Sequence, residues 1–286
     1  MSGPIMSVRN ATKEFEVHGG GAIFAGKSVF RAVDDVSFDV EPGRTIAVVG
    51  ESGSGKSTTA RIAAKLLNAT SGTVEFEGED VTHAKGAALA AFRSRVQVVF
   101  QDPFSSLNPR HTVQRIICAP LEYQGKPIPG SRSTFVGDLM ERVGLDPDHQ
   151  QRYPSQFSGG QAQRIGIARA LAVQPKLVVC DEAVSALDVS VQARVINLLR
   201  DLQRDLGLSY IFIAHDLAVV RQIADTVAVM SQGRIVEQGE RDQVFDDPKD
   251  AYTKQLLAAI PQINPDWELA RARLIAAEET AMEDRT

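Results

Sequence analysis

The sequence predicts an α/β fold, a mostly parallel sheet with helices on both faces and a helical subdomain set into it. Three observations carry this expectation. Short apolar runs such as RTIAVV at 44–49 and LVVC at 177–180 are bounded by turn residues, as buried strands are. Helical segments alternate with them, which argues for parallel strands joined by crossover helices. Between Pro109 and Gln156 the strand runs stop and Pro and Gly breaks accumulate, so this stretch reads as mostly helical.

The elements follow in order. Residues 32–40 alternate as a strand, Glu41-Pro42-Gly43 is a turn, and 44–49 is the first fully buried strand. A glycine-rich loop at 50–55 opens a helix over 56–68, with Ile62, Ala63, Leu66 and Leu67 as its apolar stripe. Strands are predicted at 73–76 and 96–100. After the helical insertion come a helix at 161–172, a strand at 177–180, a helix at 190–205, a strand at 209–214 and a helix at 217–224. Strands at 226–230 and 234–237 flank the turn Gln232-Gly233. From about Gly239 the chain is expected to be helical and increasingly charged. The organisation expected is a main domain over 1–240, carrying the helical subdomain at about 109–170, and a C-terminal helical appendage over 241–286. Within the appendage Trp267, Leu269, Leu274 and Ile275 are candidates to cap the core.

Composition narrows the function classes. The 286 residues are 43% hydrophobic and 23% charged, an ordinary globular balance. Lys plus Arg is 31 against 36 Asp plus Glu, a formal net charge of -5 that gives no push toward a nucleic-acid partner. The only cysteines, Cys118 and Cys180, form no C-x-x-C pair, so cysteine alone builds neither a zinc site nor an iron–sulfur cluster. A reducing, cytosolic setting fits. No apolar run approaches the ~18 residues that span a bilayer, and no secretory leader is expected.

The chemistry begins at Gly50-Glu51-Ser52-Gly53-Ser54-Gly55-Lys56-Ser57, a match to G-x-x-x-x-G-K-[ST] between a buried strand and a helix. Glycines let successive N–H groups converge on one anion, and the helix dipole adds positive charge at the same place. Lys56 is positioned to reach β- and γ-phosphates, and Ser57, followed by Thr58, offers a hydroxyl to Mg²⁺. The carboxylates Asp181 and Glu182 end the strand at 177–180, where α/β sheets bind ligands. Asp181 is expected in the Mg²⁺ shell and Glu182 as the base that orients the attacking water.

A second candidate anion loop, Ser158-Gly159-Gly160-Gln161, opens the helix at 161–172. Two such loops with one lysine make sense if two subunits meet head to tail. With this loop the chain resembles the ABC ATPase family over roughly residues 7–260. The resemblance implies a P-loop (RecA-like) core with an antiparallel β region, and a dimer in which the 158–161 loop pins the γ-phosphate of the partner's ATP. It further implies Gln101 as the Q-loop glutamine touching Mg²⁺ and water, Asp188 within Ser185-Ala186-Leu187-Asp188 as the D-loop, and His215 as the switch histidine. Phe15 corresponds to the aromatic that stacks on adenine.

Three segments resemble the oligopeptide/dipeptide importer branch: Gln101-Asp102-Pro103-Phe104-Ser105-Ser106-Leu107-Asn108-Pro109-Arg110, the run from Asp181 to Ser190, and Ala251-Tyr252-Thr253-Lys254-Gln255-Leu256-Leu257. That branch implies ATP and Mg²⁺ as cofactors, and a second ATPase subunit, identical or paralogous, as partner. It also implies two membrane permeases, an external solute-binding protein, and a peripheral place on the cytoplasmic face of the inner membrane. The alternative class is a non-transport ABC ATPase of translation or DNA repair.

Overall fold

The computed structural model describes residues 3–17 and 28–259. Its elements are β1 (Met6–Val17), β2 (Ser28–Val40), β3 (Thr45–Val49), α1 (Lys56–Ala63), β4 (Ser71–Phe76), β5 (Glu79–Asp80), α2 (Gly86–Arg95), β6 (Val96–Val99), α3 (Pro103–Ser106), α4 (Val113–Tyr123), α5 (Arg132–Arg142), α6 (Gly159–Leu171), β7 (Leu177–Asp181), α7 (Val189–Leu206), β8 (Ser209–Ile213), α8 (Leu217–Ile223), β9 (Thr226–Ser231), β10 (Arg234–Glu240), α9 (Arg241–Asp246) and α10 (Ala251–Ala258).

The strands form two sheets. A six-stranded sheet runs in the order β10-β9-β3-β8-β7-β6, and a four-stranded one in the order β2-β1-β4-β5. In the larger sheet β6, β7, β8, β3 and β9 are mutually parallel, and β10 returns antiparallel to β9 at one edge. The smaller sheet is antiparallel throughout.

Why the central strands read as unbroken apolar runs is visible in their packing. Every residue of β3, β7 and β8 is buried. Ala47, Val49, Val178, Cys180, Tyr210 and Phe212 enter one core with the helices α4–α8. Ile46, Val48, Leu177, Val179, Ile211 and Ile213 enter the other, against α1 and the antiparallel sheet. Strand alternation thus feeds two cores, and the buried polar residues of these strands, Thr45, Ser209 and Asp181, stand at their ends.

The structure differs from the sequence expectation at particular places. The helix expected over 56–68 ends at Ala63, because Lys65 turns into the left-handed region at φ 53. The long strand β1 was not expected. Bulges between Val8 and Ala11 and between Ala11 and Lys13, with Asn10 at φ 48, break the alternation that would have announced it. The strand expected over 234–237 runs on to Glu240. Trp267, Leu269, Leu274 and Ile275 lie outside the described residues. Among the described residues, no helix is long and apolar enough to cross a membrane.

Candidate functional site

The phosphate loop leaves the C-terminal end of β3, between β8 and β9. Gly50 holds φ 147 and Gly55 φ 103. A Cβ on Gly50 would stand 2.1 Å from the Met230 carbonyl oxygen, and one on Gly55 2.4 Å from that of Ala32. Only glycine fits either place. The loop delivers the chain into α1 with Lys56 as its first residue, and Gly55 caps the helix with no side-chain hydrogen bond. The first-turn N–H groups therefore keep their donor capacity for an anion.

Lys56 is buried. Its Nζ donates to the carbonyls of Gly50 at 2.8 Å and Glu51 at 2.7 Å. Burial pulls its pKa below the usual lysine value, against the opposing charges of Glu182, Asp181 and Glu51. A desolvated ammonium held by two carbonyls suits the capture of an anion that supplies full countercharge. Ser57 and Thr58 sit half-buried in the same first turn.

The carboxylates come from β7. Asp181 is 6% exposed. Its Oδ2 lies 3.7 Å from Arg61 Nε, while Oδ1 is buried without a hydrogen-bond partner. An orphaned carboxylate oxygen is costly. A divalent cation is the partner whose chemistry fits it, with the Ser57 hydroxyl and the Gln101 amide oxygen as further hard donors.

Glu182 adopts φ 50, a conformation few non-glycine residues hold. Its backbone N–H donates to the Ile213 carbonyl of β8 at 3.2 Å. Its side chain is the hub of a cluster. Gln101 Nε2 donates to Glu182 Oε2 at 2.9 Å and to Ser185 Oγ at 3.2 Å. Ser185 Oγ in turn donates to the Glu182 carbonyl at 2.9 Å. His215 Nδ1 lies 3.8 Å from Glu182 Oε2. A small cavity of about 20 Å³ lies among Glu182, Ser185, Gln192, His215 and Asp216.

The 158–161 loop is built as a helix start. Ser158 Oγ accepts from the Gln161 N–H at 3.3 Å, and Gln161 Oε1 accepts from the Ser158 N–H at 2.9 Å. This capping box fixes the first turn of α6. A Cβ on Gly159 would meet Leu187, and one on Gly160 would come 2.4 Å from Val191 Cγ1. The loop is therefore seated on the 185–191 segment of its own chain. Asp188 caps α7, accepting from the Val191 N–H at 2.9 Å, and hydrogen bonds from Ser190 and Val191 hold its pKa below the usual carboxylate value.

The structure thus joins Gln101, Glu182 and His215 in one cluster, with Lys56 in their field. Among the described residues, no hydrogen bond or ion pair links the 158–161 loop to the phosphate loop. Phe15 stands on β1, 39% exposed, with Lys13 Nζ 5.2 Å from its ring centroid. Sequence reasoning missed Ser185 as a member of the Glu182 cluster. It missed Gln163 and Arg169 of α6, which bond the carbonyls of Phe100 and Ser106 around Gln101. Six residues are about 1.7 helical turns, so Gln163 and Arg169 lie about 120° apart around α6 and no shared face announced them.

The family model described as ABC transporter matches residues 33–185, more than half of the chain. The chain belongs to the ABC transporter family. This ABC ATPase binds and hydrolyses ATP. A second model, described as the C-terminal region of oligopeptide/dipeptide transporters, matches residues 236–284, and with it the alternative of a translation or repair ATPase falls away. The probable peptide ABC transporter ATP-binding protein y4tS of Sinorhizobium fredii is 50% identical over 96% of this chain and 76% of its own. The glutathione import ATP-binding protein GsiA of Escherichia coli (strain K12) is 49% identical over 96% of this chain, which spans only 44% of that protein. The ATP-binding cassette MJ0796, solved as a post-hydrolysis dimer with ADP and Pi, superposes with a TM-score of 0.72 at 25% identity, over 82% of this chain and 98% of that one. The α/β architecture with parallel and antiparallel sheets is that of these cassettes.

Proposed function

We propose that this ATPase powers the uptake of oligopeptides, dipeptides or a related solute, working from the cytoplasmic face of the membrane beneath two permease subunits fed by an external solute-binding protein. The Glu182 cluster carries the mechanistic part. A carboxylate braced by Gln101 and Ser185, near His215 and facing the field of Lys56, is built to act on a nucleophile beside a phosphate chain. The match of residues 236–284 to oligopeptide/dipeptide transporters supports the cargo class.

In this mechanism ATP enters the 50–58 loop, and Lys56 exchanges the Gly50 and Glu51 carbonyls for the β- and γ-phosphates. Ser57, Asp181 and Gln101 would hold Mg²⁺, which supplies positive charge against the phosphates. Glu182 takes the proton of the attacking water, and His215 contacts the γ-phosphate. Phe15 stacks on the adenine. A second subunit closes head to tail, so that Ser158, Gly159, Gly160 and Gln161 of one protomer complete the site of the other, with Asp188 at the seam. Hydrolysis removes the γ-phosphate and reopens the pair. Residues 1–240 form the ATPase and 241–286 its appendage.

The test is uptake of radiolabelled di- and tripeptides and of glutathione by cells lacking the gene, complemented by wild type or by Glu182→Gln. Restoration by wild type alone is expected. Uptake that is the same with and without the gene rejects the cargo class.

A further inference from the structure

Helix α10, the last among the described residues, reaches the phosphate loop. The Glu51 backbone N–H donates to the Tyr252 phenol oxygen of α10 at 3.0 Å, across 201 residues of sequence. Glu51 is the second residue of the loop. Its N–H belongs to the same peptide unit as the Gly50 carbonyl, and that carbonyl accepts from Lys56 Nζ at 2.8 Å. The Gly50–Glu51 peptide is therefore held from both sides, by the phenol on its nitrogen and by the Lys56 ammonium on its oxygen. Gly50 itself sits at φ 147, where the backbone has little intrinsic preference to hold the plane.

Tyr252 is itself anchored. Buried Glu237 of β10 accepts from the N–H groups of Lys249 at 2.8 Å and Asp250 at 3.1 Å. Asp250 caps α10 by accepting from the N–H of Tyr252 at 2.8 Å. Tyr252 and Leu256 pack against the main core. A short helix bolted to the sheet edge thus delivers one hydroxyl to one amide of the loop.

We infer that Tyr252 is a positioning residue of the nucleotide site, fixing the Gly50–Glu51 peptide and through it the oxygen on which Lys56 rests before phosphate arrives. The bond also withdraws the Glu51 amide from the anion pocket, leaving the donors further along the loop to the phosphates. This rests on the proposal that residues 50–58 cradle ATP. The region matched to oligopeptide/dipeptide transporters then bears directly on nucleotide affinity, beyond any role as an appendage.

The test uses the full chain as wild type, Tyr252→Phe, Glu182→Gln and the double variant. Nucleotide affinity is read by titration of ATP and ADP, and turnover by phosphate release. Tyr252→Phe keeps the ring and its packing and removes only the hydroxyl. The expected result is a KM for ATP and a Kd for ADP raised about fivefold, with kcat changed less than twofold and the thermal midpoint of the nucleotide-free protein preserved. Fivefold corresponds to about 1 kcal/mol, the net worth of one hydrogen bond. The same factor is expected on ATP binding in the Glu182→Gln background. Unchanged affinities in a folded Tyr252→Phe protein overturn the inference, as does a loss of midpoint that accounts for the whole effect. Failure of wild type and Glu182→Gln alike to bind ATP would instead reject the cradle assignment.

Discussion

Gln101 holds Glu182: the amide Nε2 donates to the carboxylate Oε2 at 2.9 Å, joining the end of β6 to the end of β7. The two strands are parallel neighbours, with Val99 opposite Cys180. Their side chains therefore emerge together at the edge where ligands of such sheets bind. Replacing Glu182 by Gln keeps the volume and removes the proposed base. Phosphate release is expected to fall by at least about 100-fold, the usual worth of a placed general base, with ATP binding retained. Near-normal turnover in that variant would remove Glu182 from the mechanism.

Gly160 lies against Val191 so closely that an added Cβ comes 2.4 Å from Cγ1. A β-branched side chain in a helix has little rotamer freedom to yield. Gly160→Ala is expected to displace the start of α6 and to abolish nucleotide-dependent dimerisation, measured by light scattering in the Glu182→Gln background. Adding Val191→Ala makes room and is expected to restore most of the dimer. If the single variant dimerises like its parent, the seating of this loop on α7 does not matter.

Both thiols are buried, and burial raises both pKa values, that of Cys180 to about 12. The thiolate is the reactive form, so raising the pKa starves the reaction at neutral pH. Iodoacetamide at pH 8 is expected to leave both residues unmodified in the native protein and to alkylate both in denaturant, read by intact mass. Rapid native labelling of Cys180 would contradict the packing of β7.

Glu237 is desolvated, which pushes its pKa up. The N–H group of Lys249, the Thr253 hydroxyl and the N–H group of Asp250 outweigh that and hold it below the ordinary carboxylate value of 4.5. A lowered folded-state pKa stabilises above the unfolded value and loses that contribution as pH falls through the folded one. Wild type is therefore expected to exceed Glu237→Gln in denaturant stability by a constant margin above pH 4.5, a margin that closes at lower pH. A margin independent of pH down to 3 (roughly the lower end of carboxylate titration) would show that the charge is not what holds α10.

What the sequence made legible was local. The glycines of the phosphate loop have to be glycine because a Cβ at Gly50 or Gly55 collides with backbone, so chain geometry is written in residue type. Gln232 and Gly233 both hold positive φ, the primed turn their order announces, and the hairpin of β9 and β10 follows. The buried strands declared themselves because both faces are covered. Long-range relationships stayed hidden. Nothing near Tyr252 points to Glu51, and nothing near Arg169 points to the Ser106 carbonyl it bonds at 2.5 Å. β1 stayed hidden for another reason, since its bulges erase the period by which strands are recognised.

The order β3-β8-β7 makes the sheet a ruler. The phosphate loop and Glu182 rise from strands two places apart, and neighbouring strands lie ~4.8 Å apart, so the strands that carry them stand about 10 Å apart by backbone hydrogen bonding alone. No side-chain substitution alters that figure. Mutation can retune what stands at either end of the interval, while the interval between the strands stays with the order β3-β8-β7. The spacing of the strands that carry the candidate site is thus a property of sheet topology, insulated from side-chain substitution.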